Sequence, residues 1–171
     1  MTSQHQLTSQ TEGISCFAWN ADRSMIAVCP NSNEIHIYGA REGETWQRLF
    51  ILSEVHSSFN NSILFLVALH GSISVDNFFT INTTIIRKHD LLVSSIDWSP
   101  LTNKIVSCSH DRNAFVWTFE TNTQMWKPTL VILRIDRAAT DVKWSIDGRR
   151  FAVASSAKVV PVCMYEPGNN W

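Results

Sequence analysis

The sequence predicts an all-β chain of about three four-stranded antiparallel sheets stacked face to face, the third incomplete. Three observations carry this prediction: one segment pattern occurs three times, tryptophans recur at near-constant separations, and several predicted strands are apolar on both faces. The three segments are Ile14 to Gly39, Val93 to Phe119 and Ala139 to Glu166. Each has an apolar run ending in Trp, a polar turn, a second run, a second turn and a third run. The first turns, Asn20-Ala21-Asp22, Ser99 to Asn103 and Ile146-Asp147-Gly148, carry the residue types that tight reversals need. The runs favour Val, Ile, Phe and Trp and so read as strands. Ile26 to Cys29 and Phe151 to Ala154 lack a polar face, so other layers must cover them on both sides.

Two tryptophan series set the register. Trp19 to Trp46, Trp98 to Trp126 and Trp144 to Trp171 are separated by 27, 28 and 27 residues. Trp98 to Trp144 is 46 residues, whereas Trp19 to Trp98 is 79, an excess of 33 that falls between Trp46 and Trp98. WQRLFILSE (Trp46 to Glu54) and WKPTLVILRI (Trp126 to Ile135) read as equivalent outer strands, so Val55 to Arg87 interrupts the repeat. This segment holds two charged residues, Asp76 and Arg87, among Phe, Ile, Leu, Ser and Asn. A long loop is the plain reading. A translated retained intron is preferred, because valine codons begin with GT, the composition suits T-rich codons, and 33 residues are a whole number of codons. The expected organisation is an N-terminal extension over 1–13, a first repeat over 14–54, the insertion over 55–87, a second repeat over 88–135 and a truncated third over 136–171. Sheets of this kind at a period of ~40–45 residues make the blades of a β-propeller, here a partial one.

Composition limits the function classes. The 171 residues are 44% hydrophobic and 17% charged, which is globular material. Lys plus Arg is 14 and Asp plus Glu is 15, so no bulk field draws nucleic acid or an anionic membrane. Met1 to Glu12 lacks a basic segment followed by an apolar core, which argues against a secretory signal. The longest apolar run, Ile63 to Leu69, is far short of the ~20 residues that span a bilayer. Cys16, Cys29, Cys108 and Cys163 form no CxxC pair and read as reduced core thiols in a soluble, reducing compartment.

Candidate chemistry is sparse. His89-Asp90 and His110-Asp111 have the residue types of a base and its orienting carboxylate, but no GxSxG accompanies them, and structure is the preferred role. No HxxxH or HExxH spacing supports a metal, and no Gly-rich loop supports a nucleotide, so no cofactor is expected. The sequon matches at Asn60 and Asn82 are read as chance. Arg134, Arg137, Lys143, Arg149 and Arg150 form the densest basic stretch, read as solvated strand ends or, more sharply, as a rim contact to an acidic partner. Trp126 is read as packing the blade or anchoring a neighbouring subunit.

The second repeat resembles a WD repeat. Lys88-His89-Asp90 stands where that family has Gly-His, Asp111 lies in the following turn, and Trp117-Thr118 stands for Trp-Asp. The resemblance implies a structural hydrogen-bond tetrad of His89, Asp111, Trp117 and a strand hydroxyl, Ser107 or Ser109. DRNAFVW (Asp111 to Trp117), WKPTLVILRIDRAATDVKW (Trp126 to Trp144), PNSNEIHIY (Pro30 to Tyr38) and SSIDWSP (Ser94 to Pro100) resemble the WD-repeat subunit of the actin-related protein 2/3 complex. That family is seven-bladed, so the chain would hold its first three repeats at most, without the later insertion by which the family approaches actin. The implied function is a non-catalytic scaffold for actin nucleation and branching in the cytoplasm and actin cytoskeleton. Its implied partners are the other subunits and, indirectly, actin, with no nucleic acid, membrane or small-molecule substrate. The rivals are a WD-repeat adaptor of another assembly, a non-functional truncated product, and an enzyme on a propeller. Three repeats ending at Trp171 cannot close a ring, so the chain is expected to be marginally stable and aggregation-prone.

Overall fold

In a computed structural model, the described residues are 13–40, 46–52, 88–167 and 171. The chain divides into two units, Met1–Ser53 with Lys88–Trp171, and Glu54–Arg87; all described residues belong to the first. The expected insertion at 55–87, its two sequons, and nearly all of the extension at 1–13 lie outside the described residues.

Eleven strands form among the described residues, in three antiparallel sheets that follow chain order. The first joins β1 (Cys16–Trp19), β2 (Met25–Cys29), β3 (Ile35–Gly39) and β4 (Gln47–Leu52). The second joins β5 (Val93–Trp98), β6 (Ile105–Ser109), β7 (Asn113–Glu120) and β8 (Met125–Ile132). The third joins β9 (Ala139–Trp144), β10 (Arg150–Ser155) and β11 (Val162–Met164). Among the described residues the fold is thus all-β, with three stacked sheets and no closed barrel, as a partial propeller requires.

Registers repeat residue by residue. Trp19↔Ile26, Trp98↔Ile105 and Trp144↔Phe151 pair at the same place in each sheet. The two tryptophan series that set the register also meet in space: Trp19–Trp46, Trp98–Trp126 and Trp144–Trp171 are edge-on pairs with ring centroids 5.7, 5.6 and 5.4 Å apart. Such pairs add about 0.5–1.5 kcal/mol beyond their buried area.

The core lies between sheets. Ala27, Cys29, Ile35 and Ile37 of the first sheet pack on Ile96, Trp98, Phe115 and Trp117 of the second. One layer on, Val106, Cys108, Ala114 and Val116 pack on Ala139, Val142, Phe151 and Val153 of the third. The second sheet is thus covered on both sides. Ile26 to Cys29 is buried on both faces as expected, Ala27 and Cys29 against the second sheet and Ile26 and Val28 with Tyr38, but Phe151 to Ala154 is not: Phe151 and Val153 face the core, Ala152 is half-buried and Ala154 is exposed. All four cysteines are free thiols, but only Cys29 and Cys108 are buried, whereas Cys16 and Cys163 are half-buried. Burial raises the Cys29 thiol and pushes Cys108 up to about 12, so both remain neutral packing groups.

Polar stitches repeat as well. Ser15 Oγ donates to the Val93 carbonyl at 3.1 Å, and Ser94 Oγ, one repeat on, donates to the Ala139 carbonyl at 2.7 Å. Asp97 spans the second junction, accepting from the Trp144 N–H at 2.8 Å and from Lys143 Nζ at 3.3 Å.

The first turn of each sheet closes on a residue with positive φ: Arg23 (60°), Asn103 (52°) and Gly148 (65°). Only the last is glycine, and its surroundings explain why. A Cβ there would sit 2.7 Å from Ser99 Oγ and 2.8 Å from Thr102 Cγ2, because this turn docks against the corresponding turn of the second sheet. Gly148→Ala is expected to destabilise the fold by about 1–3 kcal/mol, whereas Arg23→Gly, at an exposed position with a similar φ, should be near neutral. Urea melts of both variants test this; an unchanged midpoint for Gly148→Ala would show that the two turns do not press together.

Candidate functional site

The chemistry-bearing residues of the second repeat converge inside its sheet. His89 lies in the segment that leads into β5, Ser107 sits in the middle of β6, Asp111 lies in the β6–β7 turn and Trp117 is on β7. Pairing of β6 with β7 sets Ile105 opposite Trp117, which brings the indole back over β6. Its Nε1–H donates to Ser107 Oγ at 2.9 Å. Ser107 Oγ is also 2.8 Å from His89 Nε2, and His89 Nδ1 is 2.9 Å from Asp111 Oδ2. The chain Trp117–Ser107–His89–Asp111 is continuous, and Ser107 and Trp117 are fully enclosed. Asp111 also accepts from the Asp90 and Asn113 backbone N–H groups, and so ties the entry of β5 to the entry of β7. The Phe115 ring packs edge-on against the His89 ring, 4.9 Å between centroids.

The two sequence-adjacent pairs do not form. His89 bonds the carboxylate of Asp111, not that of its neighbour Asp90, and the His110 side chain is exposed. Of the two candidate hydroxyls Ser107 is the member; Ser109 instead donates to the Leu91 carbonyl and accepts from the Asp111 N–H.

Ser107, His89 and Asp111 have the connectivity of a nucleophile, base and orienting acid. The surroundings rule out that chemistry at this place. The Ser107 hydroxyl is 0% exposed and one of its lone pairs is held by the indole N–H, so no carbonyl carbon can approach it. What the arrangement does do is satisfy every polar atom it buries, which keeps a buried carboxylate tolerable.

Burial pushes the Asp111 carboxyl up, but the His89 hydrogen bond and charge and the two backbone donors pull it further down, leaving it below its ordinary value. A depressed carboxyl contributes stability above its unfolded value, near pH 4, and loses that contribution as pH falls through the folded value. Asp111→Ala is expected to destabilise the second sheet by about 1–3 kcal/mol at pH 7, with Asp90→Ala much milder. The gap between wild type and Asp111→Ala should begin to narrow as pH falls below about 4. Denaturant melts at pH 7 and pH 3 measure both effects, and equal losses at Asp90 and Asp111 would contradict the assigned register.

A family model described as WD domain, G-beta repeat matches residues 81–118, a stretch that includes the whole tetrad. Relatives extend the match along the chain. Actin-related protein 2/3 complex subunit 1A of Arabidopsis thaliana is 42% identical over 160 residues, which is 94% of this chain and 33% of the relative. Along nearly its whole length the chain is similar to actin-related protein 2/3 complex subunit 1. Subunit 1A-A of Xenopus laevis is 39% identical over the same shares, and subunit 1 of Schizosaccharomyces pombe is 49% identical over 48% of this chain and 22% of its own length. The chain spans about a third of the length of the plant and frog relatives it matches.

Two departures from the WD signature have local causes. Lys88 replaces the signature Gly and lies with its ammonium 5.2 Å from the centre of the Trp117 ring, where burial lowers its pKa. Thr118 replaces the signature Asp at a solvent-exposed position outside the tetrad. The third WD-type sheet lacks the tetrad: one period of 46 residues on, Ile135, Val153, Ala157 and Cys163 stand at its four places and pack in the second core layer.

The five residues read as partner contacts separate into two groups. Arg134, Arg137, Arg149 and Arg150 are exposed, on the strand ends and turns of the second and third repeats. Trp126 is a correction: it is 8% exposed, packed between Trp98 and Phe119, so its ring is core and cannot anchor a neighbouring subunit. Lys104, which sequence reasoning passed over, lies over the rings of Tyr165 and Trp171 at 5.5 and 5.9 Å. No linear signal marks it, because its partners come from the next repeat.

Proposed function

We propose that the chain acts as a non-catalytic scaffold in the complex that nucleates branched actin filaments, within the cytoplasmic actin cytoskeleton. The observation that carries this reading is 42% identity, over 94% of the chain, to a relative named as a subunit of the actin-related protein 2/3 complex. The stacked sheets supply rigid layers with turns at their ends, the usual form of a binding scaffold. Its partners on this reading are the other subunits of that complex, and actin through them. The tetrad of His89, Ser107, Asp111 and Trp117 holds the second repeat together, while Arg134, Arg137, Arg149 and Arg150 meet an acidic partner surface. The test is affinity capture of the tagged chain from cell extract followed by mass spectrometry. Actin-related proteins among the captured chains support the proposal; a different, reproducible set of partners replaces it with a WD-repeat adaptor of another assembly.

We further propose that residues 55–87 are an insertion that the repeats do not need. Joining Glu54 to Lys88 should leave the melting midpoint unchanged or raise it, since the entropy of loop closure grows only slowly with length. Loss of soluble protein on this deletion would show instead that the segment is a structural part.

A further inference from the structure

The two junctions between sheets are built on one plan and differ at one place. At the first junction, Phe119 and Trp126 of the second sheet form an aromatic pair, 5.4 Å between centroids. Met25 and Phe50 of the first sheet pack against the same core cluster, with Phe50 edge-on to Phe119 at 5.8 Å. At the second junction the aromatic pair persists as Tyr165 and Trp171, 5.5 Å apart. The covering residues do not persist. Strand register places Thr129, opposite Val116, where Phe50 stands opposite Ile37. Likewise Lys104, immediately before β6, takes the place of Met25 at the corresponding start of β2. The apolar plug of one junction is therefore a cation and a small hydroxyl at the next.

At Lys104 lies an open cleft of about 490 Å³, lined by Lys104, Arg149, Arg150, Tyr165 and Trp171 together with Asp147. Tyr165, at the position of the half-buried Phe119, is 47% exposed. None of the three cations has an ion-pair partner among the described residues. Asp147 is engaged in its own turn, accepting from Ser145 Oγ and from the Arg149 N–H. The turn is held in place by the close approach of Gly148 to Ser99 and Thr102, so the cations stand on a fixed base.

We propose that this cleft binds a phosphorylated side chain of a partner peptide. The proposal rests on the reading of Arg149 and Arg150 as partner contacts and specifies what they meet. Three cations against one committed carboxylate leave an excess of two positive charges. A phosphomonoester supplies about −1.5 to −2 and three acceptor oxygens, whereas a carboxylate supplies one charge. Arginine forks match that geometry with paired hydrogen bonds, and the exposed Tyr165 ring, backed by the half-buried Trp171, offers a platform for the carbon part of the ligand.

Saturation-transfer NMR on the whole 171-residue chain in phosphate-free buffer, with phenyl phosphate as probe and phenylacetate as the monoanionic control, tests this. Saturable binding of phenyl phosphate is expected, weakened about fivefold or more in Lys104→Met and in the Arg149→Gln/Arg150→Gln double variant, with phenylacetate far weaker. These side chains are not buried, and a melt of each variant checks that the fold is kept. Equal binding of the two probes would mean an acidic-peptide site and overturn the proposal. So would unchanged binding in the variants, absence of saturation, or retention of the chain on phosphatidylcholine vesicles carrying a phosphorylated inositol lipid without binding of the free probe. If the double variant loses captured subunits while phenyl phosphate does not bind wild type, the arginines are partner contacts and the phosphoryl assignment alone fails.

Discussion

Trp117→Ala is expected to destabilise the chain by about 3–5 kcal/mol, the usual range for truncating a fully buried aromatic. Three effects combine there. The indole is 0% exposed and belongs to the core layer between the first and second sheets, so truncation leaves a cavity in both. Its N–H is one of two partners of the Ser107 hydroxyl, and its ring faces the Lys88 ammonium. Trp117→Phe keeps most of the ring and loses the hydrogen bond, so it should lose only about 1–2 kcal/mol. Chemical melts followed by far-ultraviolet circular dichroism separate the two. A loss below about 1 kcal/mol for the alanine variant would show that the layer relaxes around the missing ring, against the packing described.

The second large effect is expected from Ser107, the hub of the tetrad. Ser107→Val leaves the His89 ring nitrogen and the Trp117 N–H buried without partners, a penalty of about 2–5 kcal/mol. The third sheet carries Ile135, Val153 and Ala157 at the places of His89, Ser107 and Asp111, so the repeat accepts an apolar solution as well. The combined variant His89→Ile/Ser107→Val/Asp111→Ala/Trp117→Phe removes every polar partner at once. It should lose less than the sum of its four single variants by about 2 kcal/mol or more, because no buried side-chain group of the tetrad is left unpaired. Strict additivity in a full set of melts would mean that the four side chains act independently and do not form a network.

The sequence by itself determined the strand content, the three repeats and their register, because these rest on local signals. Alternation and apolar runs mark strands, turn residues mark reversals, and the spacing of Trp19, Trp98 and Trp144 from Trp46, Trp126 and Trp171 places both members of each ring pair. The tetrad members His89, Asp111 and Trp117 were legible only through the resemblance to a WD repeat. Composition alone equally suited pairs of adjacent His and Asp.

What only the tertiary structure decided are the choices that depend on two hairpins or two sheets at once. The β5–β6–β7 register selected Ser107 over Ser109 and Asp111 over Asp90: both serines share one face of β6, but only Ser107 meets the Trp117 indole N–H, while Ser109 bonds the Leu91 carbonyl. Stacking of the first sheet on the second buried Trp126, whose place in its own strand reads the same in the core or at the surface. The cleft is lined by Lys104, one repeat after Met25, and by Arg149, Arg150, Tyr165 and Trp171 of the next repeat. A single strand cannot show that lining, because the space lies between the second sheet and the third.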